Sequence, residues 1–213
     1  MGNDLLGEIK AGVIAGKLGG MGDLTRGALE AGIPAVDIMN LGLIEAMSVV
    51  GERFENKEYF VPEVLVSARA MHESMQVLRP LLEESGVEPL ARVAMGTVKG
   101  DLHDIGKDIV SIVLTGAGFE VESLGADVPS EKFVEAAAGG AGVVGMSSLL
   151  TTTRPRMAEV IGLLEERGLR DSVKVIIGGA AVTEAFAGEI GADGYGADAA
   201  QAVRLAKSLL EIR

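Results

Sequence analysis

The apolar residues of this 213-residue chain change their spacing once, near residue 88, and that change restricts the chain to two differently built parts. Up to Leu82 they recur at helical intervals. Leu5, Ile9, Val13 and Leu18 form a first helical segment ended by Gly19-Gly20, and Leu24, Ala28 and Ala31 a second, stopped at Gly32. Pro34 stands where a first-turn proline belongs, and Val36, Met39, Leu43, Ala46, Val50 and Phe54 then make one stripe over about five turns. Pro62 starts a fourth helix with the stripe Val64, Ala68, Met71, Met75 and Leu78, closing near Pro80 and Gly86. Four amphipathic helices with short connections predict a small antiparallel bundle. The acidic stretch from Leu81 to Pro89 reads as a linker, which divides the chain into a helical domain, 1–86, and a second domain, 87–213.

After Glu88 apolar strands alternate with helices. Strands are expected at 92–97, 119–124, 142–146 and 173–177, and helices at 105–114, 130–138, 156–167, 183–190 and 199–212. That alternation predicts an α/β doubly wound parallel sheet, whose ligands sit beyond the carboxyl ends of the strands near the switch point. The loops of interest are therefore those after Thr97, Met146 and Ile177.

Composition removes several classes of function. The chain has no cysteine, so disulfides, thiolate metal sites, iron–sulfur clusters and a cysteine nucleophile are all excluded. A formal net charge of −12 argues against nucleic acid as a partner. No apolar run is long enough to span a membrane, and Met1-Gly2-Asn3-Asp4-Leu5 lacks the basic start of an export signal, so a cytoplasmic protein is expected. Aromatic residues are 3% of the chain, which suits a core built for close backbone approach or one that leaves room for something large.

The first loop reads Gly100-Asp101-Leu102-His103-Asp104-Ile105-Gly106-Lys107. It contains neither a GxGxxG nor a GxxxxGK[ST] phosphate pattern. It does hold one of only two histidines, with a carboxylate two residues earlier. Imidazole is a good ligand for cobalt, iron or zinc, and a metal-bound histidine usually donates its other N–H to a carboxylate. Asp101 and His103 suit those roles; equally, a lone histidine here could cap the following helix. If it is a ligand, its isolation implies a metal that arrives inside a macrocycle. The loop after the third strand, Ser147-Ser148-Leu149-Leu150-Thr151-Thr152-Thr153, is lined with hydroxyls, and Gly178-Gly179 follow the fourth, where missing side chains would let a ligand lie on backbone. His72 reads as a solvated helix residue, Met39, Met47, Met71 and Met75 as packing, and Lys107 as solvated.

Together, D-x-H-x-x-G, S-x-L about 40 residues later and G-G about 30 beyond that resemble the cobalamin-binding signature. The whole chain resembles the corrinoid proteins of methylamine, methanol, betaine and methoxyaromatic methyltransferase systems, and the cobalamin module of methionine synthase. Thr97-Val98-Lys99-Gly100 before the motif and Lys107-Asp108-Ile109-Val110 after it carry the match. The resemblance implies an N-terminal four-helix bundle cap followed by a flavodoxin-like (Rossmann) five-stranded parallel sheet. It implies cobalamin or a related corrinoid as cofactor, with His103 as the cobalt ligand and Asp101 accepting its other N–H. Leu102, Asp104, Ile105 and Gly106 would belong to the same binding loop, Gly106 opening room at the helix start. Ser147, Leu149 and Thr151 would meet the displaced nucleotide tail, Thr153 would continue the Asp101 relay, and Gly178 and Gly179 would line the tail's slot. Tyr195 and Ala197 would lie where the family closes over the nucleotide. Phe54 and Val61 would cover the upper face of the cofactor.

By the same resemblance the chain is a carrier that shuttles a methyl group on cobalt, between Co(I) and methyl-Co(III), with no substrate pocket of its own. Its partners would be a substrate-specific methyltransferase, an acceptor methyltransferase acting on tetrahydrofolate or a thiol, and a reductive activator of the corrinoid. Competing readings are the cobalamin-binding subunit of an adenosylcobalamin mutase, a cobalamin-dependent sensor or regulator, and a flavodoxin-like interaction domain without cofactor.

Overall fold

The structure, a computed structural model, describes residues 2–85 and 89–212. The chain divides into two compact units, Met1–Pro89 with Gly116–Gly118, and Leu90–Thr115 with Phe119–Arg213.

The first unit is helical: α1 (Gly2–Ile14), α2 (Met21–Glu30), α3 (Ala35–Asp37), a π-helical stretch (Ile38–Ile44), α4 (Glu45–Glu55) and α5 (Val61–Glu84). Three expectations need correction. The first helix ends at Ile14, well before Gly19-Gly20, and Leu18 is exposed. Gly16 explains the early end. It adopts φ +63°, and a Cβ there would lie 2.3 Å from Val66 Cγ2, so the chain turns at a point of close approach that only glycine permits. In the third helical region, α3, the π-helical stretch and α4 follow one another directly, and the wider π turn shifts the buried face. Ile38, Leu43, Ala46, Met47 and Val50 form the buried stripe, leaving Val36, Met39 and Phe54 half-buried. Finally, Pro80 does not close the fourth helix but lies inside α5. Pro80 and Gln76, whose carbonyl it cannot serve, are both exposed, so water can take over the missing bond. Leu81 to Glu84, read as linker, are therefore helical, and Leu82 is buried; Gly86 lies outside the described residues.

The second unit is a five-stranded parallel sheet in the order β2-β1-β3-β4-β5. Its strands are β1 (Arg92–Val98), β2 (Glu120–Val128), β3 (Val143–Ser147), β4 (Lys174–Gly178) and β5 (Gly194–Gly196). Between them run α6 (Ile105–Gly116), α7 (Ser130–Ala138), α8 (Arg156–Glu166) and α9 (Glu184–Ile190), and α10 (Ala199–Leu209) follows β5. The strand order reverses between β1 and β3, so the loops after these two strands flank the switch point. This is the flavodoxin-like architecture expected, with β5 added to the four strands legible from periodicity.

The two faces of the sheet are packed differently. Against α7, α8 and α9 the strands bury Val98, Val144, Met146, Val175 and Ile177 among Phe133, Met157, Leu164 and Phe186. The opposite face mixes the buried side chains Val93, Met95, Val143 and Ile176 with glycines. There a Cβ on Gly194 or Gly196 would meet Leu205 or Ala202, and α10 buries Ala199, Ala202 and Ala206. α10 lies close on β4 and β5 and α7 on β1, β2 and β3, whereas α6 makes no comparable approach to any strand.

Candidate functional site

The end of β1 turns sharply, with Asp101 N–H donating to the Val98 carbonyl at 3.1 Å and Gly100 at φ +86°. The turn delivers the Asp101 side chain into the interior, where it is fully buried. Its Oδ1 accepts the backbone N–H of His103 at 3.0 Å and the ring Nδ1–H of the same residue at 2.7 Å. Its Oδ2 accepts from the β3–α8 loop: Leu149 N–H at 2.7 Å, Thr153 Oγ1 at 3.0 Å, Leu150 N–H at 3.2 Å and Ser148 Oγ at 3.4 Å. Burial alone would raise the carboxyl's pKa. The donors from His103, Leu149 and Thr153 outweigh it and hold the group well below the usual carboxylate range. Asp101 is thus an ionised acceptor, which fixes the His103 tautomer with hydrogen on Nδ1 and a lone pair on Nε2.

That ring is held but accessible, with 54% of its side chain exposed. Thr97 Oγ1 also ties the His103 carbonyl at 3.2 Å. Large apolar side chains stand exposed around it: Leu102 at 75%, Ile105 at 73%, and both Leu149 and Leu150.

The structure brings Asp101, His103, Thr153 and the Leu149 amide into one hydrogen-bonded group. Ser147 and Thr151 do not join it; Ser147 is half-buried at the end of β3 and Thr151 is exposed in the loop. Ser148 does, and it was missed, as was the Leu150 amide. Ser148 Oγ also meets Thr153 Oγ1 at 2.8 Å and donates to the Leu150 carbonyl at 3.1 Å. Asp104 is half-buried just before α6, and a Cβ on Gly106 would have open space around it. At Gly178 and Gly179 the close neighbours are the chain's own backbone: an added Cβ would fall 2.8 Å from the Gly196 carbonyl oxygen and 2.2 Å from that of Ser148. Tyr195 packs against the core of the α7–α9 face, and Ala197 is exposed, its N–H donating to Gln201 Oε1 at 2.8 Å. Phe54 and Val61 are half-buried residues of the helical unit. Lys107 departs from expectation: it is 2% exposed, paired with Asp108 and donating to Ser123 Oγ at 3.3 Å. Its position in the first turn of α6 turns it inward toward β2.

No group of three or more His, Asp or Glu among the described residues could hold a bare metal ion. One imidazole suffices for a metal that brings its own equatorial ligands, and the residues present fit such a group. The ring offers Nε2, and the loops beside it offer apolar surface. A sheet that offers a single carboxylate-oriented imidazole beside its switch point is the frame of a macrocycle-binding protein.

Comparison with known proteins gives that class its family. The B12 binding domain family matches residues 91–204, and a second family of the same description matches residues 5–79. A corrinoid protein of Desulfitobacterium hafniense is 40% identical over 210 residues, 97% of each chain. Dimethylamine corrinoid protein 1 of Methanosarcina acetivorans is 44% identical over 212 residues, 97% of this chain and 98% of that one. Among solved structures, the methanol:cobalamin methyltransferase complex of Methanosarcina barkeri superposes with a TM-score of 0.86 at 30% identity, covering 98% of this chain and 80% of that one. The chain belongs to the B12-binding corrinoid proteins of methyltransferase systems, and its cofactor is of the cobalamin class. No helix among the described residues is long and apolar enough to cross a membrane.

Proposed function

We propose that this chain carries a methyl group between two enzymes, holding its corrinoid through His103 Nε2. The observation that carries this reading is the Asp101–His103 pair, in which a buried carboxylate fixes the ring with Nε2 facing outward. The bound corrinoid supplies a metal able to accept a methyl group and give it up. The chain's own residues do the rest. Asp101 orients the imidazole, Thr153 and Ser148 keep Asp101 in place, and Leu102, Ile105, Leu149 and Leu150 offer apolar surface to the macrocycle. One partner is a substrate-specific methyltransferase; the others are an acceptor methyltransferase acting on tetrahydrofolate or a thiol and a reductive activator. Relatives named for dimethylamine and trimethylamine, matched over most of their length, support a methylated amine as donor.

The test begins with full-length protein loaded with hydroxocobalamin and reduced to Co(II). Its electron paramagnetic resonance spectrum is expected to show superhyperfine splitting from one protein nitrogen, lost in His103→Ala. An unchanged spectrum in that variant would rule out the axial role. Methyl transfer is then followed optically with dimethylamine, trimethylamine or methanol, with and without the cognate methyltransferase. Rapid methylation without a partner would show a substrate site in this chain and end the carrier reading.

A further inference from the structure

Asp127, at the end of β2, is bonded on both sides of the Gly100–Asp101 peptide. Its backbone N–H donates to the Asp101 carbonyl at 2.9 Å. Its Oδ1 accepts the Gly100 N–H at 2.7 Å, and its Oδ2 accepts the Lys99 ammonium at 3.0 Å. To make these bonds it adopts φ +54°, a left-handed conformation that few residues other than glycine, asparagine and aspartate tolerate. The strand pairing supports the same geometry. The β1–β2 register shifts between Gly96 and Val98, so that three steps of β2 oppose two of β1 and Asp127 lies in this irregularity, just before the Val98–Val128 pair that leads into the turn.

We propose that Asp127 is a positioning residue for the Asp101–His103 pair. Asp101 meets donors from two separate segments, its own loop and the β3–α8 loop. Its carboxylate reaches Leu149, Leu150 and Thr153 only if the turn carrying it is held at the right tilt. Apart from the bonds of the Asp101 carboxylate and the Thr97 Oγ1 bond to the His103 carbonyl, the backbone of the turn is closed by the Asp101–Val98 bond, and Gly100, with no side chain, cannot anchor it. Asp127 supplies the missing restraint by binding the turn from outside while Asp101 binds inward. The Gly100 amide and then the Lys99 ammonium hold the Asp127 carboxyl below the usual carboxylate range, so it serves both as an ionised acceptor. Oδ1 is the atom that matters, because the exposed Lys99 ion pair is worth little. Asn, which tolerates the left-handed conformation and keeps an oxygen for Gly100, is expected to replace Asp127; Gly, which keeps the conformation and removes the oxygen, is not.

The effect on His103 is read directly in the corrinoid-free full chain, because only His72 and His103 contribute imidazole signals. Long-range proton–nitrogen NMR at neutral pH is expected to show wild-type His103 as the Nδ1–H tautomer. D127G is expected to lose that preference toward a mixture and D127N to retain it. After loading with hydroxocobalamin and reduction, D127G is expected to show a clear loss of the fraction with protein-nitrogen superhyperfine splitting. Ring nitrogen shifts in D127G identical to wild type would overturn the proposal, whatever the variant's stability. The proposal rests on the axial reading of His103 only in its second readout. A shifted tautomer in D127G, together with a Co(II) spectrum indifferent to His103→Ala, would support Asp127 as positioner and remove the axial role instead.

Discussion

Asp101 and His103 are joined twice through one oxygen, Oδ1, which takes both the ring Nδ1–H and the backbone N–H of the histidine. The ring cannot turn without loosening the loop, and the loop cannot shift without releasing the ring. Replacing Asp101 by Ala removes the acceptor of the Leu149 and Leu150 amides and of both His103 N–H groups, while the Thr153 hydroxyl keeps the Leu150 carbonyl at 3.0 Å. The expected cost is about 2–4 kcal/mol, since each buried donor left unpaired costs roughly 1–3 kcal/mol and relaxation recovers part of it. Urea unfolding of the corrinoid-free protein measures it; a loss below about 1 kcal/mol would show that water satisfies these donors.

The same carboxylate sets an acid dependence. Its pKa in the folded protein lies below its unfolded value of about 3.9, so its stabilisation is fully present above that value and is lost as pH falls toward the folded pKa. Asp127 and Glu159, lowered by their own hydrogen bonds, act in the same direction with more screening from solvent. Wild-type stability is therefore expected to fall on acidification from about pH 5 toward pH 2, and Asp101→Asn to flatten that limb. Parallel pH profiles for the two proteins would mean that Asp101 is not the main contributor.

How much was legible in advance follows from what each residue's signal was. The doubly wound sheet could be read because buried parallel strands are short apolar runs between helices, and Asp101 with His103 because one of only two histidines follows an aspartate in a ligand loop and the spaced S-x-L and G-G elements complete the resemblance to the cobalamin-binding signature. Ser148 was not legible. Ser147 and Ser148 are adjacent hydroxyls at a strand end, and which one turns inward depends on where β3 leaves the sheet. Gly179 was found, but its neighbour is the Ser148 backbone, a contact between two loops that no local pattern encodes. The inward turn of Lys107 and the π-helical stretch were equally hidden, since each is set by tertiary packing rather than by spacing.

Lys107 and Asp108 form a pair with one buried and one exposed member: the lysine is 2% exposed, the aspartate side chain 55%. Removing the lysine leaves a carboxylate that water can solvate, whereas removing the aspartate leaves a buried ammonium with Ser123 as its remaining partner. Lys107→Met is expected to fall within about 1 kcal/mol of wild type, and Asp108→Ala to lose roughly 2–4 kcal/mol. Equal losses in chemical denaturation would contradict this asymmetry.

Gly179 carries φ +112°, and a Cβ there would lie 2.2 Å from the Ser148 carbonyl oxygen and 2.9 Å from its nitrogen. Backbone cannot yield as a flexible side chain does, so Gly179→Ala must move the loop that delivers the Leu149 and Leu150 amides to Asp101. Strain and overpacking together are expected to cost roughly 2–4 kcal/mol. The His103 ring nitrogen shifts are expected to move as well; a stable variant with unperturbed shifts would show that the loops are not coupled.

Gly106 presents the opposite case, and it separates folding from binding. It lies in the first turn of α6, outside the left-handed region, and a Cβ built there meets nothing within 4 Å. Alanine is a better helix former than glycine, so Gly106→Ala is expected to stabilise the corrinoid-free protein by a few tenths up to about 1 kcal/mol. Gly106 follows His103 by three residues and adjoins exposed Ile105, so the open space lies beside the imidazole and its apolar surroundings. If that space receives the macrocycle or its tail, one methyl group intrudes on the ligand rather than on the protein. Affinity for hydroxocobalamin is then expected to fall while the melting temperature without corrinoid rises. Titration and thermal unfolding of the same preparation test both; wild-type affinity with raised stability would mean that the cofactor leaves this space empty.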